Sequence, residues 1–154
     1  MSRIQKIKRI TFVVLSILCV AFIFSQSLLP ATQSSKESGF VLSILNGFTE
    51  AIGLGTVFNG HIVRKLAHFF EFAVLSGVLF CTYKQFFSKI INVCVITSAT
   101  YLCVAIMDEF IQLFSDGRAC SFKDVLIDFS GGTVMLIVFV IVSAFLNRKN
   151  KKIN

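Results

Sequence analysis

The chain has 154 residues, 55% of them hydrophobic, with 18 phenylalanines, one proline and a mean hydropathy of +0.82. Only 15% are Asp, Glu, Lys or Arg, against roughly a quarter in globular domains. That excludes a soluble domain and implies one all-α integral membrane domain over 1–154, with an apolar exterior solvated by lipid. The net charge of +7 does not imply nucleic acid, because the basic residues flank apolar runs and form no groove-like pattern.

The first apolar run covers 10–29, twenty residues without a charge, enough at about 1.5 Å per residue to cross a ~30 Å hydrocarbon core. It is longer than a signal-peptide core and no small-x-small cleavage site follows, so a retained helix is expected. A polar stretch over 30–59 comes next. Within it Phe40, Val41, Ile44, Leu45, Phe48 and Ile52 recur at helical spacing, opposite Ser43, Asn46 and Glu50, and Ser34 and Glu37 have capping-box spacing. This predicts a short interfacial helix lying on the bilayer, or, in a sharper reading, a lid over a site made by the other helices.

The second run, 60–83, carries Lys65, His68 and Glu71 in its first half. The third, 90–114, carries Asp108, Glu109 and Gln112 near its end, and the fourth, 122–146, carries Asp124 and Asp128 near its start. The breaks at 84–89 and 115–121 are short enough to make these helices antiparallel neighbours. The expected architecture is therefore a bundle of about four transmembrane helices with an interfacial helix between the first two. Of the five cysteines, four lie in apolar runs and Cys120 in a polar loop, with no CxxC pair, so no disulfide is expected.

Four crossings return the chain to its starting side. With both termini and the 84–89 loop in the cytoplasm, that side holds ten of the 15 basic residues, as the positive-inside rule favours. All eight acidic residues (Glu37, Glu50, Glu71, Asp108, Glu109, Asp116, Asp124 and Asp128) then fall on the outer half. Topology alone does not require that segregation.

An ionised group within a transmembrane helix costs about 2.5–3.5 kcal/mol on insertion scales, to be offset by pairing, hydration or a ligand. Lys65, His68 and Glu71 follow at three-residue intervals and so share one helix face. Asp108 and Glu109 share a face with Gln112. Asp124 and Asp128 are four apart, and Gly131 continues their stripe, where a backbone or a ligand can come close. Arg118, in the loop between the third and fourth helices, is placed to meet the surplus acids. Each has a bland account alone: a snorkelling lysine, an N-terminal aspartate favoured by the helix dipole, a satisfied core histidine. Their convergence at one membrane level on three helices is harder to dismiss, although a purely structural polar network accounts for it too.

The segments RKLAHFFEFAVL at 64–75, DEFIQLF at 108–114 and RACSFKDVLIDFSGG at 118–132 resemble the VanZ family, named for a protein associated with teicoplanin resistance. The family pattern is Lys-x-x-His-x-x-Glu, then Asp-Glu-x-x-Gln, then Arg, Asp, Asp or Asn, and Gly. It falls here on Lys65, His68, Glu71, Asp108, Glu109, Gln112, Arg118, Asp124, Asp128 and Gly131. FSQSLLP at 24–30 is similar, more loosely, to the serine-rich exit from the family's first helix. The resemblance implies a bacterial membrane protein, in some members linked to glycopeptide or lipoglycopeptide resistance.

Three readings of the cluster follow. In the first, it binds or processes an amphiphilic envelope substrate, a lipoglycopeptide or a lipid-linked cell-wall precursor, at the outer face of the cytoplasmic membrane. His68 then carries a proton, Glu71, Asp108 and Glu109 act as bases, and Lys65 and Arg118 bind phosphate or carboxylate, with Gln112, Asp124, Asp128 and Gly131 completing the ligand site. In the second, His68 and the carboxylates hold a metal, which by donor type would be a hard divalent ion such as Mg²⁺ or Mn²⁺. In the third, the network is non-enzymatic and sets packing or docks a partner.

Overall fold

The computed structural model describes residues 2–153 and contains five helices: α1 Arg3–Ser27, α2 Ala31–Ala51, α3 Gly60–Tyr83, α4 Ile90–Gln112 and α5 Phe122–Ile153. Four stretches are long and apolar enough to cross a membrane: Arg3–Ser27, Gly60–Tyr83, Ile90–Gln112 and Phe122–Leu146. The bundle is apolar outside as well as inside, with Ile17, Phe70, Val95, Ile106, Phe110, Ile137 and Phe145 all exposed. Exposed apolar side chains over the length of each span are what a lipid solvent requires. The chain is a multi-pass membrane protein.

Helix α3 is the centre of the bundle and packs on all four others. Its span has the lowest mean hydropathy of the four, 1.5, and the largest buried share. The two facts have one cause: its polar groups face neighbouring helices, so it presents less apolar surface to lipid. Phe72, Leu75, Leu79 and Phe80 of α3 form the core with Ile23, Val93, Tyr101, Val104, Ala105, Val125 and Leu136.

Two glycines bring helix α5 close to its neighbours, Gly131 to α3 and Gly132 to α4. A Cβ on Gly131 would lie 2.1 Å from the Phe69 carbonyl oxygen, and one on Gly132 would lie 2.8 Å from the Tyr101 ring. The room opened by Gly131 is thus filled by the α3 backbone. Away from the acidic end, polar side chains pair across helices. Ser16 and Thr82 share a hydrogen bond at 2.9 Å, and the Arg9 Nη2 donates to the Gln85 carbonyl at 2.7 Å.

Several boundaries differ from the sequence expectation, α1 ending at Ser27 and α5 running on to Ile153. Helix α1 starts at Arg3, before the apolar run, because Ser2 and Gln5 form a capping box that carries the basic residues into the helix. Helix α4 stops at Gln112, where a turn takes over. Helix α2 is not short: it begins right after Pro30, whose fixed φ starts the turn, and the Ser34 amide already bonds back to the Pro30 carbonyl. Ser34 therefore sits inside the helix and caps nothing there; the Glu37 side chain lies outside the described residues. The α2 backbone is anchored at its start by the Ala31 amide donating to the Asp116 carbonyl. Near its end, Asn46 brackets Phe58 with two hydrogen bonds, at 3.0 and 2.9 Å.

Candidate functional site

The C-terminal ends of α1 and α4, the N-terminal ends of α3 and α5, and α2 meet at one end of the bundle. There the buried carboxylates gather: Asp108 is 0% exposed, Glu109 2% and Asp128 1%. Each is reached from a different direction, and their surroundings divide them into two kinds.

Some groups are fully engaged. The Lys65 Nζ lies 2.6 Å from the Asp124 Oδ1, an ion pair joining α3 to the first turn of α5, where the helix dipole also favours the aspartate. Glu109 accepts the Ser121 amide at 2.6 Å and so holds the start of α5. Asp108 accepts from the Ser27 hydroxyl at 2.5 Å and from the Gln112 Nε2 at 3.0 Å, one helical turn away. Ser27 is itself fixed, its carbonyl accepting from the Ser115 hydroxyl at 2.8 Å.

Other groups have buried atoms without hydrogen-bond partners among the described residues. The His68 Nδ1 faces two carboxylates, 3.7 Å from the Glu71 Oε2 and 3.9 Å from the Asp108 Oδ2. Both separations exceed a direct hydrogen bond, and apo catalytic contacts are often this long. Among the described residues, the His68 Nδ1, the Glu71 Oε2, both Asp128 oxygens and the Arg118 Nε have no hydrogen-bond partner. Unsatisfied buried polar atoms are uncommon and costly, and five of them lie together at this one end of the bundle.

Arg118 is brought back over the cluster by a turn at Gly117, whose φ of 73° favours glycine. Its Nη2 donates to the Gln26 carbonyl at 3.3 Å. Burial, and then the neighbouring positive charge of Arg64, push its pKa down from the ordinary guanidinium value, although a guanidinium stays charged throughout.

Two cavities flank the cluster. One, of about 480 Å³, lies between α1, α2 and α3, walled mostly by apolar side chains including Phe22, Val41, Leu45, Phe58 and Phe70. The other, of about 290 Å³, is polar and holds Lys65, Glu109, Gln112, Asp124 and Asp128 in its wall. Arg64, His68 and Arg118 line both. Helix α2 contributes Ser34, Ser38, Val41 and Leu45 to the apolar cavity, one stripe at helical spacing.

Nine of the ten residues singled out from sequence thus gather here, while Gly131 serves the α3–α5 crossing. Sequence reasoning missed Arg64, Ser27 and Ser121. Arg64 was hidden by its neighbour Lys65, and the loose FSQSLLP similarity was the one signal for Ser27. His68, Asp108 and Asp128 can each offer a ligand atom with all three within 4.8 Å of one another. The family model described as VanZ/LLP1 matches residues 12–143. No curated protein and no solved structure matches the chain.

Proposed function

The chain belongs to the VanZ/LLP1 family, and from that premise we propose that it binds an amphiphilic envelope molecule and acts on its polar head by proton transfer. The observation that carries this reading is the position of His68, between an apolar cavity and a polar one, with its Nδ1 facing Glu71 and Asp108. An apolar cavity suits the chain of an amphiphile, and convergent polar groups suit its head. Histidine is the side chain whose unperturbed pKa lies nearest neutrality, so it is the natural proton carrier. Asp108, oriented by Ser27 and Gln112, and Glu71 are its exchange partners.

In this reading the site is on the outer face of the bacterial cytoplasmic membrane, with both termini in the cytoplasm. The placement of ten of 15 basic residues supports that orientation. A lipoglycopeptide or a lipid-linked wall precursor meets that face, and glycopeptide resistance is the phenotype to examine. A deletion strain complemented with wild type, His68→Ala or Asp108→Asn is profiled against lipid-tailed and tail-less glycopeptides. Loss of positioned acid–base chemistry lowers rates roughly 10²–10⁴-fold, so both substitutions should abolish the wild-type effect at undiminished membrane abundance. Abundance falling in step with phenotype for every cluster substitution would favour a packing role. Equal susceptibility of all strains would remove the resistance role.

A second reading is favoured by the three converging donors. His68, Asp108 and Asp128 are spaced to hold a divalent ion, and Ser27 and Gln112 orient Asp108 as outer-shell groups orient metal ligands. One nitrogen and several carboxylate oxygens suit Mg²⁺ or Mn²⁺. Elemental analysis of the purified protein distinguishes the readings. A stoichiometric divalent metal lost on Asp128→Asn supports the second, because a metal-bound imidazole nitrogen carries no proton.

A further inference from the structure

The two arginines that line both cavities are adjacent, and their charges oppose each other. Among the described residues neither makes a salt bridge, although five carboxylates lie in the same cluster. Arg64 makes no side-chain hydrogen bond there. Arg118 makes one long bond to a carbonyl and leaves its buried Nε without a partner. Lys65, by contrast, is paired with Asp124 at 2.6 Å. Two half-buried guanidinium groups thus line the same two cavities, each able to bind an oxyanion through a planar fork.

The apolar cavity continues away from these arginines. Phe22, Phe70 and Glu71 line it and also line an apolar groove of about 390 Å³ between α1 and α3, which reaches Leu18 and Val74 near the middle of both helices. Phe22 and Phe70 are 52% and 62% exposed, so the groove opens sideways onto the lipid-facing surface. Glu71 sits at this groove end, whereas the arginines sit at the polar end, shared with the second cavity. Positive charge at one end and an apolar channel at the other describe a head and a tail.

We propose that this site takes a phosphate-bearing lipid from the bilayer, with the phosphate between Arg64 and Arg118 and one hydrocarbon chain in the α1–α3 groove. The proposal rests on the amphiphile reading above and specifies its substrate class. A phosphate is preferred to a carboxylate because two forked guanidinium groups need more acceptor oxygens than one carboxylate offers. A lipid is preferred to a free anion because the apolar cavity and groove extend well beyond the size of a phosphate ion.

The test is native mass spectrometry of the delipidated full-length protein in detergent. It is titrated with phosphatidylglycerol, with diacylglycerol of the same chains, and with inorganic phosphate. Wild type should bind phosphatidylglycerol at least about tenfold more tightly than diacylglycerol, a difference of about 1.4 kcal/mol. Arg64→Gln with Arg118→Gln should erase that preference, while Lys123→Gln, at an exposed cation of the same end that lines neither cavity, leaves it in place. Val74→Trp, at an exposed position in the groove wall, should weaken both lipids by filling the groove. Monodisperse elution on size exclusion confirms that each variant is folded.

Equal binding of the two lipids by wild type, with no response to the arginine substitutions, overturns the phosphate assignment and leaves the amphiphile reading standing. Absence of any lipid binding overturns both. Displacement of phosphatidylglycerol by equimolar inorganic phosphate would identify the site as one for the free anion and overturn the lipid assignment.

Discussion

Asp124 and Asp128 lie one helical turn apart on α5 and have opposite surroundings. Asp124 is partly exposed and paired with Lys65, whereas Asp128 is 1% exposed with both oxygens unpartnered. Their neutral isosteres should therefore move stability in opposite directions. Asp124→Asn breaks a partly solvated ion pair and should lose about 0.5–1 kcal/mol. Asp128→Asn removes the cost of burying an ionisable carboxyl without a partner and should gain about 1 kcal/mol or more. Thermal unfolding of both variants in one detergent is the check, and shifts of the same sign would refute the distinction. The sequence showed that these aspartates share a face but could not separate their roles, because spacing fixes direction and says nothing of what waits there. The same limit applied at 64 and 65. Two adjacent cations look alike in sequence, yet one is tied to Asp124 and the other is left beside Arg118 in the cavity wall.

At the level of helices, hydrophobic periodicity and length were enough to find the spans, because a lipid solvent enforces about twenty apolar residues per crossing. Helix α3 spans the expected 60–83, and Asn59 caps it by accepting the Ile62 amide at 2.9 Å. Helix α2 was the least legible. Its first turns are polar, and the start set by Pro30 competed with the capping-box spacing of Ser34 and Glu37. Its apolar residues also serve two faces, Val41 and Leu45 toward the cavity and Phe40, Ile44 and Phe48 outward. The glycines make the contrast between helices testable. In α5, Gly131→Ala would press a methyl group into the Phe69 carbonyl and force α3 and α5 apart, costing about 3 kcal/mol or more. In α2, a Cβ on Gly39 or Gly47 meets nothing within 4 Å. There alanine should stabilise by up to about 1 kcal/mol through helix propensity alone. Denaturation midpoints of the three single variants should fall on opposite sides of wild type, with Gly131→Ala below it.

For the whole molecule, the decisive feature is the separation of charge along the bundle axis. The six acids of α3, α4, α5 and the 113–121 loop lie at the end where α1 finishes, and Arg9, Lys84 and Lys89 lie at the other. A bilayer converts that asymmetry into an orientation, because basic loops resist translocation and acidic ones contribute little. The acids therefore had no need to gather at one end for insertion. Cysteine chemistry can test the resulting topology. Cys120 is exposed in the loop before α5, whereas Cys19, Cys81, Cys94 and Cys103 lie within helices α1, α3 and α4. A membrane-impermeant maleimide applied to intact cells should label the wild-type protein at Cys120 and leave Cys120→Ser unlabelled. Lys89 is exposed in the opposite loop, so Lys89→Cys in the Cys120→Ser background should label only after the membrane is permeabilised. The reverse pattern would put the arginines and carboxylates in the cytoplasm and transfer the proposed substrate to the inner leaflet, where a lipid phosphate still meets the site but an externally added glycopeptide does not.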